Sequence, residues 1–68
     1  MEEKTLPAYL AACRKKKGMT QNALAQKLGV TQGRVSLWES GRHLPDLKHL
    51  LMLARVFGGS LETWANLR

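Results

Sequence analysis

Cysteine and histidine are the side chains in this sequence that most readily act as nucleophiles, bases or metal ligands. The chain has one cysteine, Cys13, and two histidines, His43 and His49. Their spacing matches no zinc-binding pattern, and the sequence shows neither a nucleophile paired with a base nor a glycine-rich phosphate loop. We therefore expect no catalytic residues, no metal site and no cofactor. A single cysteine forms no internal disulfide, which fits a reducing compartment.

The remaining chemistry is electrostatic. Eleven Lys and Arg residues against five Asp and Glu give a net charge of +6 and a pI near 10.1, a balance that suits nucleic acid or an anionic membrane surface. Membrane binding is the weaker alternative, because the positive charges are spread over several segments instead of lining one amphipathic helix. No stretch approaches the roughly 18 apolar residues of a membrane span. The opening residues MEEKTLPAYLAAC do not resemble a signal peptide, so we expect a cytoplasmic protein.

Cap and glycine signals divide the chain into five short helical segments, with no run that alternates like a strand. Sixty-eight residues make one compact domain, 1–68, of the all-α class. The candidate N-caps are Thr5, Thr20, Thr31, Asp46 and Ser60. The candidate helix ends are Gly18, Gly29, Gly41 and Gly58.

The second and third segments are joined by an unusually short turn. Gly29 suits the left-handed residue after a helix, and Thr31 caps the next helix only two residues later. Val30 precedes that cap and Val35 lies four positions inside, which is the spacing of a hydrophobic staple. A helix pair with a fixed mutual angle is therefore predicted.

The third segment, from about Gln32 to Ser40, has an unusual outer face. At 100° per residue, Val35 and Trp38 lie on one side. The opposite side carries small or uncharged residues: Gly33, Ser36, Leu37 and Ser40, with Gln32 at the leading end. A solvated helix normally carries Lys and Glu there, whereas short side chains let a helix enter a groove about 12 Å wide. This face favours DNA as the polyanion.

Three motifs at fixed spacing support this interpretation: T-Q-x-x-L-A at the start of the second segment, G-V-T-Q at the turn, and V-S-x-W-E-x-G at the end of the third. Together they make the run from Thr20 to Gly41 resemble the helix-turn-helix core of the lambda-repressor-like (XRE-type) family of phage repressors, Cro proteins and bacterial regulators. The stretch LPDLKHLLMLARVFGGSLETW extends the resemblance through the last two helices. It implies a five-helix DNA-binding domain with the helix-turn-helix at helices 2 and 3.

The resemblance also implies how bases are read. Gln32 is the first residue of the recognition helix, and its amide can make the paired hydrogen bonds that adenine offers in the major groove. Gln21 touches a backbone phosphate and orients Gln32. Base contacts are further expected at Gly33, Ser36 and Leu37, although Gly33 and Leu37 depart from the polar residues of several phage repressors.

Two of these positions keep alternative interpretations. Leu37 either meets a thymine methyl group or packs at the edge of the core. Arg34 either reaches guanine or a phosphate, or remains a solvated charge on the flank of the helix.

The resemblance places phosphate contacts at Ser40, Arg42 and His43, which follow the recognition helix, while Thr31 both caps that helix and contacts phosphate. It also implies a structural ion pair between Arg14 and Glu39, which would tie the first helix to the recognition helix. The cluster Arg14, Lys15, Lys16 and Lys17 fits equally well as a phosphate contact and as basic residues favoured by a helix C-terminus.

Helical spacing predicts the core of the last two segments. Its members in the fourth segment are Leu47, Leu50, Leu51, Ala54 and Phe57, and those in the fifth are Leu61, Trp64 and Leu67. Trp64 is expected in the core. The alternative is a dimer seam formed with Leu67, Met52 or Val56.

These features predict a sequence-specific transcriptional regulator, most simply a repressor, which binds an inverted-repeat operator in double-stranded DNA as a homodimer, at least on the DNA. The alternative is a protein-interaction module of the antitoxin type, in which DNA binding is secondary to an unknown partner protein.

Overall fold

The computed structural model describes residues 5–67, which form five α-helices and, within that range, no strand. The helices are α1 (Leu6–Lys16), α2 (Gln21–Leu28), α3 (Gln32–Ser40), α4 (Leu47–Phe57) and α5 (Leu61–Ala65). The all-α prediction is confirmed. Residues 1–4 and 68 lie outside the described residues, and with them part of the acidic opening on which the expectation of no signal peptide depends.

Each helix begins at the predicted capping residue. The side-chain oxygens of Thr5, Thr20, Thr31, Asp46 and Ser60 accept a hydrogen bond from the backbone N–H three residues later, at 3.0 to 3.4 Å. Such a bond satisfies one of the backbone donors that the first turn of a helix leaves without a partner. Gly29, with φ of +71°, ends α2 in the left-handed conformation, so α3 starts after a three-residue turn.

The core is one apolar cluster to which all five helices contribute. Its buried members are Leu6, Leu10, Leu24, Ala25, Leu28, Val35, Trp38, Leu50, Leu53, Ala54 and Trp64. The Trp64 indole donates from Nε1 to the carbonyl oxygen of Gly58 at 3.0 Å, and its ring packs against Tyr9 and Phe57. Since the side chain is fully buried, Trp64 belongs to the core, as expected, and is not available for a dimer seam.

The predicted buried face of α4 is partly wrong. Leu47 and Leu51 are 60% and 39% exposed, whereas Leu53, which the spacing did not select, is fully buried. The inward face runs through Leu50, Leu53 and Ala54. Because most residues of α4 are apolar, helical spacing alone fits more than one face, and only the packing of α4 on the other helices decides between them.

Residues outside the helices help to fix α1 and the pair α2–α3 in place. The backbone N–H of Leu6 donates to the carbonyl oxygen of Leu67 at 3.1 Å, which joins the start of α1 to the residues after α5. Met19 and Val30, the residues that precede the caps of α2 and α3, pack on the core cluster. The helix pair α2–α3 is therefore held both by its turn and by the core.

Candidate nucleic-acid interface

The face of α3 that points away from the core carries most of the proposed base-reading residues. Val35 and Trp38 are buried, with 0% and 2% of their surface exposed, so they fix the rotation of the helix about its own axis. Gln32, Gly33, Arg34 and Ser36 are exposed, and Leu37 is half-buried. The sequence-derived division of α3 into an inner and an outer face agrees with the structure.

The two glutamines lie in contact across the turn. Gln32 donates from Nε2 to Oε1 of Gln21 at 2.9 Å, and Gln21 donates from Nε2 to Oε1 of Glu39 at 3.0 Å. Gln21 is half-buried at the start of α2, and Gln32 is exposed at the start of α3. The amide of Gln32 is therefore held at the tip of α3 by a chain of hydrogen bonds that begins inside the domain.

Arg14 and Glu39 continue that chain into α1. Arg14 donates from Nε to Oε2 of Glu39 at 2.7 Å and from Nη2 to Oε1 at 3.1 Å, and its Nη1 donates to the carbonyl oxygen of Met19 at 2.8 Å. Only 12% and 8% of the two side chains are exposed. The hydrogen bond with Glu39 raises the pKa of Arg14 above its ordinary value, so the guanidinium stays charged.

We call this series of contacts, from the Met19 carbonyl through Arg14, Glu39 and Gln21 to Gln32, the amide relay. Two of its links, Arg14 with Glu39 and Gln21 with Gln32, were expected from the resemblance to the lambda-repressor-like family. The bond from Gln21 to Glu39 and the role of the Met19 carbonyl were not. No local pattern signals these contacts, because they join residues on different helices or on a turn.

The segment after α3 presents charge but has little hydrogen-bonding capacity left in its backbone. The backbone N–H groups of Arg42 and His43 both donate to the carbonyl oxygen of Leu37, at 3.1 and 3.3 Å. The hydroxyl of Ser40 donates to the same oxygen at 3.0 Å. The residues Arg42 and His43 are exposed. Any phosphate contact here therefore uses side chains, and the one hydroxyl proton of Ser40 is already engaged.

Two other clusters of polar residues lie apart from this face. His49 contacts Asp46 at the start of α4, with 2.6 Å between Nδ1 and Oδ1. Lys16 and Lys17 border a surface cavity of about 520 Å³ together with Tyr9, Ala12, Cys13 and Phe57. Between residues 5 and 67 no three His, Cys, Asp or Glu side chains come close enough to hold a metal ion.

None of the helices in the described range is both long enough and apolar enough to cross a bilayer.

Comparison with known proteins identifies a family to which the chain is similar. Residues 10–64 match the model of the helix-turn-helix family. The chain is 38% identical over 53 residues to the uncharacterized HTH-type transcriptional regulator YqaE of Bacillus subtilis strain 168. The aligned region covers 78% of this chain and 46% of YqaE. It is 41% identical over 49 residues to an uncharacterized HTH-type transcriptional regulator of Archaeoglobus fulgidus, covering 72% of this chain and 70% of the relative.

A third relative, the SPbeta prophage-derived uncharacterized HTH-type transcriptional regulator YonR of Bacillus subtilis, is 38% identical over 53 residues, or 78% of this chain and 49% of that protein. The chain thus spans about half the length of the two Bacillus relatives. No solved structure matches the chain.

Proposed function

The chain belongs to the helix-turn-helix family, of the lambda-repressor-like type, and from that premise we propose that it is a transcriptional repressor that reads the major groove of an operator with α3. Membership of this family indicates a DNA-binding regulator and not an enzyme.

The observation that supports it best is the state of the Gln32 amide. One hydrogen of Nε2 is bound to Gln21, while Oε1 and the second hydrogen have no partner among residues 5–67. A free oxygen beside a free N–H is the pair that adenine requires, because adenine presents N7 as an acceptor and N6 as a donor in the major groove. A surface glutamine without a function would not be expected to have its amide oriented by a hydrogen bond to Gln21 in the absence of DNA.

The neighbouring positions fit a close approach of α3 to base pairs. Gly33 and Ser36 are small and exposed, so the helix backbone can come near the base edges. Leu37 is half-buried, which leaves one edge of its side chain for a thymine methyl group while the rest packs against the domain. The exposed Arg34 guanidinium makes no hydrogen bond or ion pair with residues 5–67, and we assign it to guanine or a phosphate.

Phosphate contacts are assigned to groups around this helix whose protons are free. The second hydrogen of Gln21 Nε2 is one such donor. The Thr31 hydroxyl oxygen accepts from the Arg34 N–H, so its own proton can still be donated to a phosphate. Arg42 and His43 are exposed beyond the end of α3. Ser40 can contribute only if it releases the carbonyl oxygen of Leu37.

We further propose that two copies bind an inverted repeat, because one recognition helix reads too few base pairs to select a single site. Half-sites would then lie about one helical turn, roughly 34 Å, apart. Each copy would contribute the helix-turn-helix domain 1–68 and act in the cytoplasm.

A second candidate function is the binding of a partner protein, with DNA binding secondary. It is favoured by three exposed leucines, Leu44, Leu47 and Leu51, of which the last two lie one turn apart on α4. The exposed side chains of Lys48 and Arg55 lie on the same helix, so the partner would surround its apolar contact with acidic residues. The absence of any DNA preference in the experiment below would favour this alternative.

Selection from random duplexes followed by titration tests the proposal. Gln32→Ala is expected to lose about 1 to 3 kcal/mol of discrimination at one base pair, while Arg42→Ala weakens matched and mismatched operators alike. Gln26→Ala is the matched control, since Gln26 is an exposed glutamine of α2 outside the amide relay. Fluorescence anisotropy on both operators, with circular dichroism as a check of folding, supplies the measurement. Equal losses on the two operators for Gln32→Ala would refute base reading by this residue.

A further inference from the structure

We propose that Glu39, which itself contacts no base, determines which base Gln32 recognises. Its carboxylate fixes the direction of the amide relay, that is, which group of each glutamine amide donates to its neighbour and which accepts. Glu39 is thus a positioning residue for specificity. This inference rests on the proposed function and adds to it the origin of the preference for adenine over guanine.

The direction follows from the hydrogen-bonding capacity of each group. An ionised carboxylate only accepts hydrogen bonds, so Gln21 can face Glu39 only with its NH₂ group. The Oε1 of Gln21 must then point the other way, towards Gln32. Since this oxygen only accepts hydrogen bonds, Gln32 must donate to it from its own NH₂ group. One negative charge inside the domain therefore orients two neutral amides in series.

The anchor of the relay is itself immobilised. Arg14 binds both carboxylate oxygens of Glu39 and, through Nη1, the carbonyl oxygen of Met19 in the turn before α2. With 12% and 8% of the two side chains exposed, little water is available to replace these partners. A rotated carboxylate would leave an N–H of Arg14 without its acceptor, and a reversed Gln21 amide would turn its oxygen towards the carboxylate, another acceptor. Both changes are unfavourable in this partly buried region.

The direction of the relay decides the order of the two groups that Gln32 presents to a base. Held as observed, the amide can place its N–H at N7 and its oxygen at the N6 amino group of adenine. At guanine the same oxygen would meet O6, another acceptor. A reversed amide would lose both bonds to adenine. At guanine either direction gives one hydrogen bond and one contact between two acceptors, so the preference for adenine depends on the direction of the relay.

The variant Glu39→Gln tests this, because it keeps the shape of the side chain and removes the charge that imposes the direction. We expect the ratio of affinities for adenine and guanine at the Gln32 base pair to fall roughly fivefold or more. Arg14→Lys is the matched control: it weakens the fork to Glu39 and lowers stability, but it keeps the carboxylate, so the ratio should remain as in the unaltered protein. A ratio that falls equally in both variants would mean that the pair is only structural, and would overturn the inference.

Gln21→Met provides a second route should Glu39→Gln not fold. It removes the relay at a half-buried position while the ion pair stays, and it should lower the adenine-to-guanine ratio by a similar factor. An unchanged ratio in Gln21→Met would overturn the inference.

NMR spectra of the side-chain amides of the free protein separate this inference from the proposed function. We expect NOEs from the Gln21 NH₂ protons to Arg14, and from the Gln32 NH₂ protons to the Gln21 side chain. In Glu39→Gln each amide should adopt both orientations, so these NOEs should weaken or disappear. If the unaltered protein shows the expected NOEs but binds all bases at the Gln32 position equally well, base reading by Gln32 is refuted. A base preference that persists unchanged in Glu39→Gln would refute the inference and leave the proposed function standing.

Discussion

The carboxylate of Glu39 accepts three hydrogen bonds, two from Arg14 and one from Gln21. Such a largely buried pair is weak evidence of net stability, because removing two charges from water offsets much of their attraction. Its position is more informative than its energy. The pair joins α1 to the recognition helix α3, in which Glu39 lies, and it orients the amide of Gln32 through Gln21.

Asp46 gives a prediction for acid. Hydrogen bonds from the backbone N–H and the ring of His49 lower the pKa of Asp46 below its ordinary value of 3.8. A lowered pKa in the folded state means that the contribution of Asp46 to stability is present above about pH 4 and is lost as the pH falls through the folded-state pKa. Asp46→Asn keeps an acceptor for the N-cap and removes the titration.

Urea unfolding of both proteins between about pH 2 and pH 7 checks this prediction. The unaltered protein should lose its advantage over Asp46→Asn as the pH falls. A difference in unfolding free energy that is independent of pH would contradict the assigned cause.

At the scale of helices, the structure was predictable wherever the signals are local. The bounds of α2 and α3 follow from a threonine cap and a glycine end, each of which acts within one turn. The buried face of α4 was not predictable, because Leu47 and Leu51 match the spacing of a core as well as Leu50 does. Which of these leucines is buried depends on helices that are distant in sequence.

In the candidate site, too, features with a local signal in the sequence were predicted and contacts between distant residues were not. The small outer face of α3 was predicted from periodicity, and the resemblance supplied two links of the amide relay. The bond between Gln21 and Glu39 spans 18 positions and was found only in the structure. A pattern within a single helix carries no information about such a contact.

Two glycines near α3 should respond in opposite ways to alanine. Gly29 has a φ of +71°, where a side chain is strained, so Gly29→Ala should lower the free energy of unfolding by about 1 to 2 kcal/mol. Gly33 is helical and a Cβ there would lie 3.9 Å from Thr31 Oγ1, so Gly33→Ala should be neutral or stabilise by up to about 1 kcal/mol.

Chemical denaturation of the two variants measures this difference. A large loss of stability in Gly33→Ala would show that its exposed face is needed for folding. That result would contradict the assignment of Gly33 to a surface kept free for DNA.

For the whole molecule, the net charge of +6 and the recognition face have separate consequences. Positive charge attracts any duplex by displacing the counterions that surround it, whereas the uncharged groups of α3 distinguish one sequence from another. Overall affinity should therefore depend strongly on salt, and discrimination between operators should depend on it much less.

The slope of log affinity against log salt concentration makes this measurable. Arg42→Ala should reduce the magnitude of that slope by about 1, because it removes one phosphate contact. Gln32→Ala changes no charge and should leave the slope as it is. A slope that is the same in Arg42→Ala and the unaltered protein would exclude a phosphate contact by Arg42.

The separation of the inner and outer faces of α3 also bears on how such a regulator could acquire new targets. Val35 and Trp38 hold the helix, while Gly33, Arg34 and Ser36 make no contribution to the buried cluster. Duplicated genes could therefore diverge at a few codons and recognise different operators, with little risk that the encoded proteins fail to fold. Changes at Gln21 or Glu39 would instead alter the orientation of the side chain at position 32 in all of these proteins, and with it the base that this position prefers.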